Sequence, residues 1–250
     1  MNRSPVAMFD FDGTVSLIRE GWSRLMAELG AEHVPTADDS LIDRFERDML
    51  ALSGRPSIVQ MGKLHDEIVA LGHRSPLPME LHTEFERRLF ARIADRKRRL
   101  AERSVPPTDW TVPGTHELLT QLQSRGVRLF LVSGTDKSDV EAEMKLLDLD
   151  RFFESPIYAP ADRTGSFHKK QAIATILNRT GIAGKQLIGF GDGYSETVEV
   201  KAVGGRAIGI ASVEVGKTGL NPVKAAMLRD WGADPIVPDY RSFDPGILDD

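Results

Sequence analysis

Four short segments of this chain concentrate the side chains that could do chemistry: Asp10-Phe11-Asp12-Gly13-Thr14, Ser133-Gly134-Thr135, His168-Lys169-Lys170, and Gly191-Asp192-Gly193-Tyr194-Ser195-Glu196. The first, second and fourth each follow a short apolar run. If those runs are neighbouring strands of one parallel sheet, four carboxylates, a hydroxyl and a lysine converge at one sheet edge, because ligands bind beyond the carboxyl ends of such strands. Carboxylates this close repel one another unless a cation or a shared proton intervenes. A divalent metal with oxygen ligands answers that repulsion, and Mg²⁺ suits a site that also holds phosphate.

The elements that must position these residues follow from periodicity. Val6-Ala7-Met8-Phe9 is a strand ending at Asp10. From about Ser16 to Val105 the pattern is helical: Trp22, Leu25, Met26 and Leu29 recur at spacings of three and four, and similar rows centre on Phe45, Leu64 and Phe85. Four amphipathic helices fit, separated at Pro35, at Gly54-Arg55-Pro56 and at Pro76-Leu77-Pro78. After Val105-Pro106-Pro107 the rhythm changes. A helix over about 115–125 stops at Gly126, a strand covers 128–132, and a helix lies near 136–147. Tyr158 falls in a short strand, 170–179 is helical, 186–190 is a strand, and 195–202 is a helix. Residues 207–210 and 235–237 are the last strands. Such β-α alternation implies a parallel sheet covered on both faces. The fold class expected is therefore α/β, a Rossmann-like doubly wound parallel sheet with an all-helical insertion after its first strand. Residues 1–15 and 109–250 form the core, and 16–108 the insertion.

Composition narrows the function. The 250 residues carry a net charge of −5, with 41% hydrophobic and 28% charged residues. That balance argues against a protein devoted to nucleic acid or an anionic membrane. No cysteine is present, which excludes a cysteine nucleophile, a disulfide framework and a thiolate metal site. No apolar stretch approaches the length of a signal or a membrane span, so the chain reads as cytoplasmic.

Taken together the four segments resemble the motifs of the haloacid dehalogenase superfamily of phosphohydrolases: a DxDGT loop, a Ser or Thr after the second strand, a Lys, and a GDxxxD-type acidic loop. Asp10-Phe11-Asp12-Gly13-Thr14, Ser133, Lys169 and Gly191-Asp192-x-x-x-Glu196 match them in order, and the insertion sits where the family's type 1 cap sits. One departure is Glu196 in place of the commoner Asp, a longer arm expected to reach the metal through water. The resemblance implies Asp10 as nucleophile and Asp12 as general acid, then base. It implies Mg²⁺ between Asp10, the main-chain carbonyl of Asp12, Asp192 and Glu196. Ser133 and the main-chain N–H of Gly134 would hold phosphoryl oxygens, Lys169 would neutralise nucleophile and phosphate, and Thr14 would order the loop. Lys169 and Lys170 compete for the lysine role; the Lys-x-x-x-Ile register selects Lys169.

The other segments admit plainer readings. Arg96-Lys97-Arg98-Arg99 could bind nucleic acid, but 15 basic and 15 acidic residues over 16–108 make it the solvated face of a helix. Gly184-Lys185 lacks the rest of a P-loop. His65 and His73 read as ordinary residues of the helical block. Substrate choice should rest on that block, with Arg19, Glu20 and Trp22 just past the catalytic loop. Arg55, in the turn Gly54-Arg55-Pro56, is the main candidate for gripping substrate, with Gln60 or Lys63 assisting. The expected activity is a Mg²⁺-dependent phosphatase acting on a small phosphorylated metabolite, a sugar or polyol phosphate, without nucleic-acid or membrane partners, as a monomer or homodimer. A phosphomutase is the rival enzyme, and a binding or regulatory module the non-enzymatic one. Haloacid dehalogenases and phosphonoacetaldehyde hydrolases are disfavoured because they lack a second aspartate like Asp12.

Overall fold

The structure, a computed structural model, describes residues 5–161, 167–213, 218–241 and 243–248. Strand β1 (Val6–Phe9) is buried at every position, as a strand covered on both faces must be. With β2 (Arg128–Leu131), β3 (Leu187–Gly191), β4 (Arg206–Ile210) and β5 (Ile236–Val237) it forms a parallel sheet in the order β2-β1-β3-β4-β5. Alternate residues go to opposite faces. Ala7, Phe9, Leu129, Leu131, Ile188 and Phe190 join the larger core, while Val6, Met8, Phe130 and Val132 join the smaller one. Phe9 and Phe190 stack with ring centroids 4.3 Å apart and planes at 1°. This contact joins neighbouring strands at the last residue before Asp10 and Gly191.

Register decides which loops meet. Phe9 pairs with Leu131 on one side and Phe190 on the other. One residue further, Asp10 N–H donates to Phe190 O at 2.9 Å, and Val132 N–H donates to Phe9 O at 2.9 Å. The loops after β1, β2 and β3 therefore leave the sheet side by side. Helices α5 (Thr115–Ser124), α6 (Lys137–Leu146), α7 (Lys169–Thr180) and α8 (Tyr194–Ala202) alternate with these strands. Tyr158 forms only an isolated bridge to Val132.

Between β1 and β2 in the chain lie α1 (Trp22–Ala31), α2 (Asp39–Leu50), α3 (Ser57–Ala70) and α4 (Pro78–Ala101). These are the four helices expected, broken at the expected glycine and prolines. Phe45, Met49, Met61, Leu64, Ile68, Leu81, Phe85, Leu89 and Ile93 are buried, as their spacing required. Helix α9 (Pro222–Asp230) is not among the elements expected. Its sequence signal is Asn221-Pro222, an N-cap followed by proline in the first turn; Asn221 Oδ1 accepts from Val223 N–H at 3.0 Å and Lys224 N–H at 3.1 Å.

The basic run at the end of α4 differs from the solvated face expected. Arg96 Nη1 donates to Ile18 O at 2.7 Å and Glu20 O at 3.2 Å, and its guanidinium lies 4.5 Å from the Trp110 ring centre. Lys97 Nζ donates to Glu143 at 3.3 Å. Arg92, one turn earlier, donates to Gly21 O. Helix α4 thus grips the strand of chain that crosses from the sheet to the helices. Of the run's ion pairs, that of Arg98, with Asp95 and Glu102, is exposed and lies along the helix itself. His65 Nδ1–H donates to Pro76 O at 2.7 Å, a local contact, as expected.

Candidate active site

The loop after β1 turns sharply at Gly13, where φ is 73°. A Cβ there would lie 2.0 Å from Asp192 Oδ2, so only glycine lets the first acidic loop approach the last. The result is a cluster in which Asp10, Asp192 and Glu196 each present an oxygen within 4.8 Å of the others, all buried.

Lys169, the first residue of α7, reaches this cluster and Lys170 does not. Lys169 Nζ donates to Asp10 Oδ1 at 2.5 Å and Glu196 Oε2 at 2.7 Å, and the residue is 4% exposed. Burial alone would lower the lysine's pKa, but the two carboxylates outweigh it and hold it well above its usual value. Lys170 is exposed on the next helical position, a consequence of the roughly 100° step per helical residue. Glu196 is fully engaged, its Oε1 accepting from Gly193 N–H at 2.5 Å. Burial pushes Asp10 well above the ordinary carboxylate range; Lys169 opposes this, and Glu196 and Asp192 reinforce it. Asp192 is raised by burial, with Lys224 opposing.

Lys224 had no place in the sequence reading. Its Nζ donates to Asp192 Oδ2 at 2.7 Å from the first turn of α9. The signal that could have found it is the Asn-Pro helix start, which puts a lysine over the β4 end of the sheet. Three buried carboxylates therefore face two ammonium groups. This set of hard oxygen donors with excess negative charge fits a divalent cation such as Mg²⁺.

Asp12 sits apart from that cluster. Its Oδ2 accepts from Thr135 Oγ1 at 2.6 Å. Its Oδ1 has no hydrogen-bond partner among the described residues and lies 3.8 Å from Arg19 Nε. Burial raises the Asp12 carboxyl to about 6, with Arg19 pulling the other way. Thr135, which the sequence places in the loop Ser133-Gly134-Thr135 without a role, is thus the partner of Asp12. Ser133, its predicted neighbour, is 1% exposed and does not line the cavity. The Ser133 Oγ accepts from Thr135 N–H at 3.0 Å and keeps its own hydrogen to donate. Gly134 does line the cavity. Thr14 is buried, its Oγ1 without a partner among the described residues and its carbonyl accepting from Tyr240 Oη at 2.9 Å.

Asp10, Asp12, Gly134, Thr135, Lys169 and Asp192 floor a cavity of about 430 Å³ between sheet edge and helices. Its helical wall includes Trp22, Ile58, His82, Phe85 and Phe90. The turn between α2 and α3 closes over the acidic loop: Tyr194 N–H donates to Ser53 O at 3.1 Å. Arg55, in that turn, is exposed, lines the cavity, and lies 4.9 Å over the Tyr194 ring.

The other expected helical-block contacts are placed differently. Arg19 lines the cavity, but its guanidinium is turned onto Glu143, with Nε to Oε2 at 3.2 Å and Nη2 to Oε1 at 2.8 Å. Glu20 is not among the residues of the cavity wall; the chain turns away at Gly21, where φ is 83°. Gln60 is in the wall, but its amide is spent on Met49 O and Leu52 O at the end of α2. Lys63 pairs with Glu67 one turn along its own helix and stays outside the cavity. Among the described residues no helix is long and apolar enough to cross a membrane.

A family model described as haloacid dehalogenase-like hydrolase matches residues 5–204. No curated protein matches the chain. Several solved structures share the fold. A predicted phosphoglycolate phosphatase from Haemophilus somnus is 14% identical with a TM-score of 0.63, covering 96% of both chains. A HAD family hydrolase from Deinococcus radiodurans, solved with bound phosphate and sodium, is 16% identical with a TM-score of 0.60, over 95% of this chain and 92% of that one. A β-phosphoglucomutase from Clostridium difficile is 13% identical with a TM-score of 0.64, over 98% and 96%.

Proposed function

The chain belongs to the haloacid dehalogenase-like hydrolases, and from that premise we propose that it is a Mg²⁺-dependent phosphatase acting on a small phosphorylated metabolite, a sugar or polyol phosphate. Residues 1–15 and 109–250 form its catalytic core and 16–108 its cap. The observation that carries the reading is the buried pairing of Asp10 with Lys169, beside a second carboxylate, Asp12, in a different environment. Two carboxyl groups with separate surroundings can take separate roles.

Asp10 attacks phosphorus and forms an aspartyl phosphate as the P–O bond to the leaving alcohol breaks. Asp12 gives its proton to the departing oxygen. A carboxyl held near 6 is protonated often enough near neutrality to do so and, once ionised, can take a proton from the water that attacks the phosphoenzyme. Lys169 offsets charge on the nucleophile and on the phosphoryl oxygens. The Gly134 N–H, on the cavity wall, would hold those oxygens, and the Ser133 hydroxyl, which lies outside the lining, would join it through the hydrogen it keeps to donate. Asp10, Asp192, Glu196 and the Asp12 carbonyl would hold Mg²⁺, which supplies charge neutralisation at the phosphoryl group. The cap walls limit the leaving group to one of metabolite size.

A panel of sugar, polyol and nucleoside phosphates and phosphoglycolate, scored for both phosphate release and substrate consumed, tests the reading. Equal amounts support a phosphatase. Isomerised substrate without free phosphate makes the protein a phosphomutase, and no turnover of any ester with Mg²⁺ leaves a binding module.

A further inference from the structure

Glu143, in α6, is fully buried and has no part in the reaction above. It accepts from Arg19 through both carboxylate oxygens and from Lys97 Nζ of α4 through one. Arg19 is itself only 9% exposed. Besides Glu143 its guanidinium meets Asp139 Oδ2 at 3.3 Å and the Phe90 ring at 5.8 Å. On its remaining side lies Asp12 Oδ1, at 3.8 Å, the buried carboxylate oxygen without a hydrogen-bond partner among the described residues. That separation is too long for a hydrogen bond. A buried carboxylate oxygen beside an arginine would ordinarily be captured by it, since such pairs are strong and prefer two parallel bonds. Here the Nε and Nη2 donors that could make that pair already point at Glu143.

Resting on the phosphatase reading, we propose that Glu143 is a positioning residue that holds Arg19 off Asp12, so that the general acid is not locked in an ion pair. A carboxylate already bonded to Thr135 through Oδ2 would have no oxygen left to aim at a leaving group once a guanidinium took Oδ1. Removing Glu143 frees Nε, 3.8 Å from Asp12 Oδ1, and leaves Nη2 with Asp139 as its remaining carboxylate. Lys97 serves a different purpose: it offsets the remaining charge of Glu143 from the cap side and makes no contact with Asp12. The arrangement joins the crossing segment (Arg19) to a core helix (Glu143), and Lys97 adds a contact from α4 that the hold on Arg19 does not need.

The inference has a signature that simple loss of packing lacks, namely that a second substitution should repair the first. Glu143→Gln should lower kcat by about tenfold or more, since general acid–base catalysis is worth at least that, with KM within about twofold. Arg19→Met combined with Glu143→Gln should be faster than Glu143→Gln alone, because the capturing group is gone. Lys97→Met should leave kcat within about twofold while lowering the thermal midpoint. Glu143→Met, isosteric and apolar, serves if the glutamine variant folds poorly, and should be repaired by Arg19→Met in the same way. Independent losses would instead add. A double variant as slow as, or slower than, the single Glu143 variant overturns the proposal, as does a Glu143 variant with wild-type kcat. Wild-type protein that hydrolyses no ester removes the phosphatase reading itself, a failure seen before any variant is made.

Discussion

Gly54 of the cap turn lies so close to Glu196 of the core that a Cβ on it would stand 2.6 Å from Glu196 Oε2, the oxygen held by Lys169. Its φ of 80° is one that other residues adopt only with strain. Gly54→Ala should therefore disturb the Glu196–Lys169 pair as well as the turn. We expect a fall in kcat of about tenfold or more, with a stability cost of about 1 kcal/mol. Steady-state kinetics beside a thermal melt separate the two. A stability loss with unchanged kcat would mean that the turn yields and the acidic loop does not.

Asp10→Asn keeps the shape of the nucleophile but not its charge. Turnover should fall by about a thousandfold or more. The fold should persist, because burial already disfavours the Asp10 charge. Phosphate release and circular dichroism check the pair of outcomes. Retention of a tenth of wild-type activity would falsify the assignment.

Chelation should abolish activity and Mg²⁺ restore it. Lys224 gives this a quantitative edge, because its ammonium competes with a cation for Asp192 Oδ2. Lys224→Met should lower the Mg²⁺ concentration needed for half-maximal activity, and should tighten Mg²⁺ binding in calorimetry without substrate. Weaker binding in the variant would mean that Lys224 orients Asp192 for the metal.

Arg55 lines the cavity from the cap. Arg55→Ala should lower kcat/KM for the preferred substrate by ~1–3 kcal/mol if a charged contact is lost. Hydrolysis of p-nitrophenyl phosphate, which lacks the polar leaving group, should barely change. Equal losses on both would assign Arg55 to cap closure through its stacking on Tyr194.

Away from the site, Glu154 accepts from Arg128 at 2.6 and 2.8 Å and from Arg179 at 3.1 Å. The Arg128 hydrogen bonds hold its carboxyl below the ordinary range; burial opposes them and the charges of both arginines add to them. A group with a depressed folded-state pKa contributes stability above its unfolded pKa and loses that contribution as pH falls through the folded value. Wild type should therefore exceed Glu154→Gln in stability at neutral pH. The gap should narrow once pH drops below about 4.3. Denaturant melts of both proteins at two pH values would show it, and a gap that widens in acid would contradict the assignment.

The amino-acid order by itself determined most of the architecture and pointed to the residues proposed as reactive groups. Val6–Phe9 could only be a covered strand, the rows around Phe45, Leu64 and Phe85 could only be amphipathic helices, and Asp10, Asp12, Ser133, Lys169, Asp192 and Glu196 stood at strand ends and a helix start. Periodicity and punctuation are local signals, and these features are local. What the tertiary structure decided was partnership. Lys169 rather than Lys170 meets Asp10 because of the angle at which α7 starts. Lys224 meets Asp192, and Thr135 meets Asp12, across 32 and 123 residues of chain. Arg19, which looked like a hand for substrate, is held by a buried glutamate on a helix 124 residues away. A side chain's charge and length can be read from sequence, but which opposite charge it satisfies depends on the packing that brings distant segments together and removes water from between them.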